Sequence, residues 1–318
     1  MIDKFINILF IGGAKRYSLA ERFIESGKKM NYEIHLFSYE IEKDVPICGI
    51  AEIILGLKWK DHNIIEHIIK TITEKKINIV LPFVDPSISI LADVKKNILP
   101  DRNIFIPVSS REICDLHYNK SWADKWFEEN GFPRPLYREG SFPLIAKPIK
   151  GSASVGIIMI NNQEEFEQFK RTNHTDEFLI QQFIDADEYT VDCYISQSGE
   201  ILGIVPRKRL YVVNGEVTKS ITVKHEGITE LTEKILLCGD FRGPVTIQFL
   251  EDKKSKKIYI MEINPKFGGG VINSIEAGFD VPTLILREFL DMSNQRIDDW
   301  KNNLLMMRVN REVFKCKS

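Results

Sequence analysis

The chain has 318 residues, about two domains' worth by length and ample for a sizeable core. Hydrophobic residues make up 43% and charged residues 28%, the balance of an ordinary soluble globular protein. A formal net charge of −2 argues against an electrostatic nucleic-acid binder, which is normally basic.

In chain order, INILFIG reads as a buried strand, residues 15–30 as a helix and YEIHLFS as a second strand. A helix over 61–75, a strand at INIVLPF and another at NIFIPV follow. Strands alternating with helices imply right-handed crossovers and a mostly parallel sheet. Gly12 and Gly13 follow the first strand, but a GxGxxG register from Gly12 needs glycine where Ala14 and Tyr17 stand, so a dinucleotide fingerprint fails. A helix over 119–130 ends at Gly131, with Pro133 and Pro135 beyond. The second half is strand-rich: FPLIAKP and VGIIMI flank IKGSAS, a helix covers 163–171, and EFLIQQFI, EYTVDCYIS, EILGIVPRKR and ITVKH follow. A helix over 229–239 precedes the strands PVTIQFL and KIYIMEIN, and helix returns over 282–291. An alternating α/β region followed by grouped strands predicts α/β plus α+β.

Five cysteines (Cys48, Cys114, Cys193, Cys238, Cys316) are scattered and form no CxxC pair, which fits free thiols in a reducing compartment. No apolar run approaches the ~20 residues that span a bilayer. FINILFIGG is too short and interrupted for a signal peptide's core. The expectation is a cytoplasmic protein with neither nucleic acid nor membrane as partner.

The chemistry concentrates in VTIQFLEDKKSKKIYIMEINPKFGGG. Two strands joined by a charged connection make a hairpin, and a centre near Ser255 sets Gln248 opposite Glu262. Side chains alternate across a strand, so Glu262 and Asn264 share a face, and with Gln248 they converge on one point. Three hard oxygen donors without sulfur or imidazole suit Mg²⁺, with Mn²⁺ as a replacement, and such an ion takes phosphate oxygens as its other ligands. The plain alternative is a wet sheet face. A phosphate cradle is offered by AKPIKGSASVGI, where Lys147 ends a strand and Gly151, Ser152, Ser154 and Gly156 form a small-residue loop.

The order of these motifs resembles the ATP-grasp superfamily, and within it the branch similar to single synthetase units of carbamoyl-phosphate synthetase and related carboxylate–amine ligases. VLPFVDPSISILA resembles a Pro-x-x-Asp turn ahead of a helix. NKSWADKWFEENGFPRP resembles an Asp-Lys helix with a Gly-x-Pro-x-Pro exit, Asn119 replacing the Asp. LIAKPIKGSASVGI, LIQQFIDADEYTVDCY, GPVTIQFL and IYIMEINPKFGGG resemble the phosphate loop, the adenine hinge and the two metal-bearing strands. The resemblance implies a Rossmann-like parallel sheet over 1–110, a linker helix and small lid subdomain over 111–184, and a larger antiparallel-sheet subdomain with the Mg²⁺ site over 185–318. It implies that Lys120 and Lys147 contact the ATP phosphates. Gln181, Gln182, Phe183 and Ile184 would form the adenine hinge, largely through backbone groups, and Glu188 would accept the ribose hydroxyls. Gln248, Glu262 and Asn264 would hold Mg²⁺. Arg207 and Arg209, on one strand face, would serve the γ-phosphate or an acyl-phosphate, with Lys266 at the glycine turn. Two departures stand out: Lys266 where arginine is usual, and Gln182 where an acid is common.

The implied activity is an ATP-dependent, ADP-forming ligase joining a carboxylate to an amine or similar nucleophile through an acyl-phosphate. Its partners would be the small-molecule carboxylate and amine, and a homodimer is an allowed assembly. Three rival expectations remain: a carbamoyl-phosphate-synthetase-like half acting on bicarbonate, a non-catalytic ATP-binding protein on the same fold, and a nicotinamide enzyme using the N-terminal sheet.

Overall fold

The structure is a computed structural model that describes residues 4–98, 104–151, 155–213 and 215–315. Chain order begins with β1 (Phe5–Ile11), α1 (Tyr17–Lys29), β2 (Glu33–Glu40), β3 (Glu52–Leu55), α2 (Ile64–Glu74), β4 (Ile79–Pro82) and α3 (Asp85–Asn97). These strands form one parallel sheet in the order β3-β2-β1-β4. Six successive residues of β1 are buried, as expected of a parallel strand covered on both faces. In α1 the buried set Leu19, Ala20, Phe23, Ser26 and Gly27 recurs at helical spacing and turns that face to the sheet.

The strand expected at NIFIPV does not form. Only Phe105 makes a bridge, to Ile79. Pro107 has no amide hydrogen to give, and the Val108 amide turns back to the Ile106 carbonyl at 2.9 Å, so pairing stops there.

Helices α4 (Arg111–Tyr118) and α5 (Lys120–Glu129) come next, with Asn119 capping α5 by accepting from the Ser121 and Trp122 amides. A small antiparallel sheet in the order β6-β5-β7 consists of β5 (Leu144–Pro148), β6 (Ile158–Ile160) and β7 (Phe178–Gln182), with α6 (Gln163–Thr172) packed on it. The larger antiparallel sheet holds β8 (Ala186–Ile195), β9 (Ile201–Val213), β10 (Glu216–Thr222), β11 (Gly243–Asp252), β12 (Ile258–Asn264) and β13 (Leu305–Met307). Its order is β12-β11-β8-β9-β10-β13. Helix α7 (Glu226–Cys238) covers one face, and α8 (Ile272–Glu276) and α9 (Val281–Phe289) follow the glycine turn.

One apolar core runs from β1 and α1 through Tyr194 and Leu202 to Phe279 and Ile285 of the C-terminal helices. A mixed α/β molecule with one parallel and two antiparallel sheets is therefore what the sequence pattern predicts. Among the described residues Cys48, Cys114, Cys193 and Cys238 are free, and no helix is long and apolar enough to cross a membrane.

Candidate active site

The β11–β12 register is the one expected: Gln248 lies opposite Glu262, and Thr246 opposite Asn264. A register shift between Gln248 and Phe249 follows directly. Both amides donate to one carboxylate oxygen: Gln248 Nε2 to Glu262 Oε1, and Asn264 Nδ2 to the same atom at 2.9 Å. The three side chains therefore do converge. With one negative charge among three oxygen-bearing groups, they fit a hard divalent cation once the amides turn their oxygens inward.

Two cavities meet at this cluster. The narrower, of about 250 Å³, is walled by Lys147, Leu179, Phe183, Ile184, Glu188 and Leu250, with Lys120, Gly151 and Gln182 also contributing. The wider, of about 620 Å³, runs from the first βα loop to the Gly268–Gly270 turn and includes Arg207, Lys266, Phe83 and Phe267. Gln248, Glu262 and Arg209 line both.

Lys147 on β5 is buried and donates to Gln181 Oε1 at 3.3 Å. Burial lowers its pKa from the usual lysine range, with Glu262 opposing that shift. Lys120, first residue of α5, donates to the Gly151 carbonyl at 2.6 Å and so joins the helix to the base of the loop. Gly151 has φ +115° and Gly156 φ +75°, both in the range that favours glycine. Gly156 packs on Pro148 instead of lining a cavity, and Ser152 and Ser154 lie outside the described residues.

At the hinge, Gln182, Phe183 and Ile184 line the narrow cavity, but Gln181 does not. Its side chain falls on the opposite face of β7, donating to Asp124 Oδ1 at 2.8 Å while accepting from Lys147. The Gln182 and Phe183 amides are engaged by the Leu136 and Pro143 carbonyls. Among the described residues the Ile184 amide has no such partner. Glu188 pairs with Arg209 Nη1 at 3.1 Å.

The arginines share a strand face but differ in surroundings. Arg209 also donates to Gln248 Oε1 at 2.8 Å and to the Gly215 carbonyl at 3.1 Å. Arg207 is fully buried and grips Asp192 with two nitrogens, Nε at 2.7 Å and Nη2 at 3.1 Å. Ser274 donates to the same carboxylate at 2.5 Å, while Arg207 Nη1 is buried without a partner among the described residues. Lys266 spends its ammonium on Asp85, the first residue of α3, and thereby ties the glycine turn to the parallel-sheet region.

Sequence reasoning did not single out Asp192, Asp85 as a partner of Lys266, or Arg16. Asp192 had a signal in EYTVDCY, where Glu188, Thr190 and Asp192 alternate onto one face. Pairings across the fold, such as Lys266 with Asp85, leave no local pattern.

Residues 174–312 match a family described as ATP-grasp in the biosynthetic pathway with Ter operon. The D-alanine–D-alanine ligase of Petrotoga mobilis is 29% identical over 139 residues, 39% of this chain and 46% of that protein. The enzyme of the same name from Thermoanaerobacter sp. is 28% identical over 178 residues, 50% of this chain and 45% of its own. The chain thus spans about half the length of the curated relatives it matches.

Among solved structures, the biotin carboxylase domain dimer of Hydrogenobacter thermophilus 2-oxoglutarate carboxylase, in complex with MgADP, ADP and bicarbonate, superposes with a TM-score of 0.74. It is 16% identical, with 94% of this chain and 73% of that one covered. The Staphylococcus aureus N5-carboxyaminoimidazole synthetase complexed with ADP gives 0.73 at 19% identity, covering 96% and 83%. The L-amino acid ligase of Bacillus licheniformis gives 0.67 at 18%, covering 91% and 75%. Likeness at such identities is likeness of fold. Residues 174–312 are thus similar to an ATP-grasp family, and the chain shares the fold of these solved structures.

Proposed function

We propose that the protein is an ATP-dependent, ADP-forming ligase that joins a carboxylate to an amine or similar nucleophile through an acyl-phosphate. The observation that carries this reading is the meeting of two cavities at Gln248 and Glu262. One cavity has the apolar walls and bordering lysines that suit a nucleotide, the other the arginine-bearing, glycine-edged form that suits an acceptor. A transferable phosphoryl group belongs where they join.

In this reading adenine lies between Leu179, Phe183, Ile184 and Leu250, with the Ile184 amide as its hydrogen-bonding edge. Glu188 takes the ribose hydroxyls, and Lys120 and Lys147 the phosphates. Glu262, Gln248 and Asn264 hold Mg²⁺, which neutralises the polyphosphate charge and fixes its geometry. Arg209 stands at the junction as a second electrophilic clamp, and Arg207 presents its spare Nη1 to the acceptor side. A carboxylate resists amine attack because oxide is a poor leaving group, and phosphorylation gives it a good one.

A bicarbonate-sized acceptor would leave most of the wide cleft empty, which favours an organic acid over the carbamoyl-phosphate-like alternative. The partners are small molecules, and a homodimer is checked by light scattering. The setting is the cytoplasm, where ATP and Mg²⁺ are supplied and free thiols persist.

The test is ADP release over a grid of carboxylates and amines, with hydroxylamine added to trap an acyl-phosphate as hydroxamate. ADP with hydroxamate from ATP and the acid alone supports the reading. AMP and pyrophosphate as products would indicate an adenylate and overturn it, and no nucleotide turnover with any pair leaves only a nucleotide-binding protein.

A further inference from the structure

The cationic groups in and beside the wide cleft can be followed one by one. Lys266 is paired with Asp85, and Arg209 with Glu188, Gln248 and the Gly215 carbonyl. Lys15 reaches Glu216 at 3.2 Å. Arg308, from the C-terminal segment, holds Glu216 at 2.9 Å and the Gly269 carbonyl at 2.5 Å.

Among the described residues of this cleft three guanidinium groups are left with donors to spare: Arg209 keeps a buried Nε, and Arg207 and Arg16 stand at the glycine turn. Arg207 has Nη1, buried and unpartnered. Arg16, from the loop after β1, is half-buried, and among the described residues its side chain has no hydrogen bond; it lies over the Phe83 ring, 5.7 Å from the centroid. Both stand at the same turn. A Cβ placed on Gly269 would be 3.6 Å from Arg16 Nη1, and one on Gly270 would be 2.7 Å from Arg207 Nη1. A buried donor left without an acceptor costs ~1–3 kcal/mol, so Arg207 Nη1, with the unbonded Arg16 guanidinium at the same turn, marks a place that expects an acceptor. Arginine's planar fork matches a group with two equivalent oxygens. Around it the cleft is partly apolar, with Phe83 stacked on Phe267 at 5.9 Å and Val45 and Trp59 along the wall.

We propose that Arg16 and Arg207 together bind an oxyanion carried by the acceptor substrate, a carboxylate or a phosphoryl group on an organic body of moderate size. The proposal rests on the ligase reading for the word acceptor, but the anion site can be tested without turnover. It makes Arg16, on the parallel-sheet side, a specificity-determining residue: the ligand must extend from the glycine turn to the first βα loop.

The test uses the full chain without nucleotide, modified by phenylglyoxal in the presence of succinate, of inorganic phosphate, or of chloride at matched ionic strength. Peptide mass spectrometry follows the rate at Arg16, and ADP–Mg²⁺ binding to the same preparation reports that the protein is folded. At an anion concentration about four times its Kd, modification of Arg16 should slow about five-fold. Protection by succinate assigns a carboxylate and protection by phosphate a phosphoryl group, and Arg16→Lys should weaken the binding of whichever anion protects. Equal rates in all three solutions overturn the proposal, even with ADP binding intact. Anion protection without ADP release from any acid–amine pair would instead sink the ligase reading and leave the anion site standing.

Discussion

At the scale of single residues, Glu262 is the one formal charge in the proposed metal cluster, with Gln248 and Asn264 both donating to it. Replacing it by glutamine removes that charge while keeping the shape. We expect Glu262→Gln to fold, to lose at least about 100-fold in turnover, ~2.7 kcal/mol of transition-state stabilisation, and to resist rescue by added Mg²⁺. Full activity at ordinary Mg²⁺ would remove Glu262 from the site. His117 makes a second residue-scale case. It is buried with both ring nitrogens unpartnered among the described residues, stacked on Phe241 at 5.2 Å, and burial lowers its pKa to about 3. In the unfolded chain it titrates near ~6.5, so below that pH the unfolded state takes up a proton that the folded state refuses. The stability is complete above ~6.5 and falls by ~1.4 kcal/mol per pH unit as acid is added, about 2 kcal/mol by pH 5. Urea midpoints at pH 7.5 and pH 5 should show that loss in the wild type, and a smaller one in His117→Phe.

At the scale of elements, the site depends on how close the turn after β12 comes to β9. Gly270 has room for no side chain: a Cβ there would press on Arg207 Nη1 and on Val217, each at 2.7 Å. Arg207 cannot retreat, because it is held by Asp192, whose carboxylate is itself held by Ser274. Gly270→Ala should therefore cost about 1–3 kcal/mol of stability, the usual range for overpacking, and should impair turnover with the acceptor while leaving ADP affinity near the wild-type value. Calorimetric ADP titration beside steady-state kinetics separates the two effects. A weakened ADP affinity equal to the loss in turnover would mean that the turn shapes the nucleotide cavity instead.

At the scale of the whole molecule, the parallel-sheet region and the large antiparallel sheet share an apolar core, and close backbone contacts join them as well. Gly243, at the start of β11 with φ +76°, lies against the Pro107 carbonyl so closely that a Cβ would overlap it. Beside it Ser109 Oγ accepts from the Arg242 amide at 2.9 Å. Gly243→Ala meets both a backbone conformation that disfavours a side chain and a clash with another backbone, which leaves no flexible group to give way. We expect a loss of more than ~2 kcal/mol, seen as a lower thermal midpoint, partly restored by MgADP, since ligand at 100 times its Kd adds ~2.7 kcal/mol. An unchanged midpoint would mean that this contact does not hold the two parts together.

The sequence by itself determined what repeats locally. Apolar runs and alternation specified β1, β2, the hairpin and the Gln248–Glu262 register, because side-chain period and turn position are set within a few residues. The order of motifs carried the ATP-grasp reading for the same reason: each motif is a short segment with its own chemistry. Local pattern failed at NIFIPV, where an apolar run resembles a strand but the proline and the turned amide of Val108 end its pairing. It could not tell that Gln181 faces away from the hinge cavity, since that follows from where Asp124 and Lys147 lie in the folded chain. Nor could it tell which cations are spent. Lys266 with Asp85, Arg207 with Asp192, and the unmatched Arg16 are decided by approaches between residues far apart in the chain, and charge pairing depends on distance in space, which the linear order does not contain.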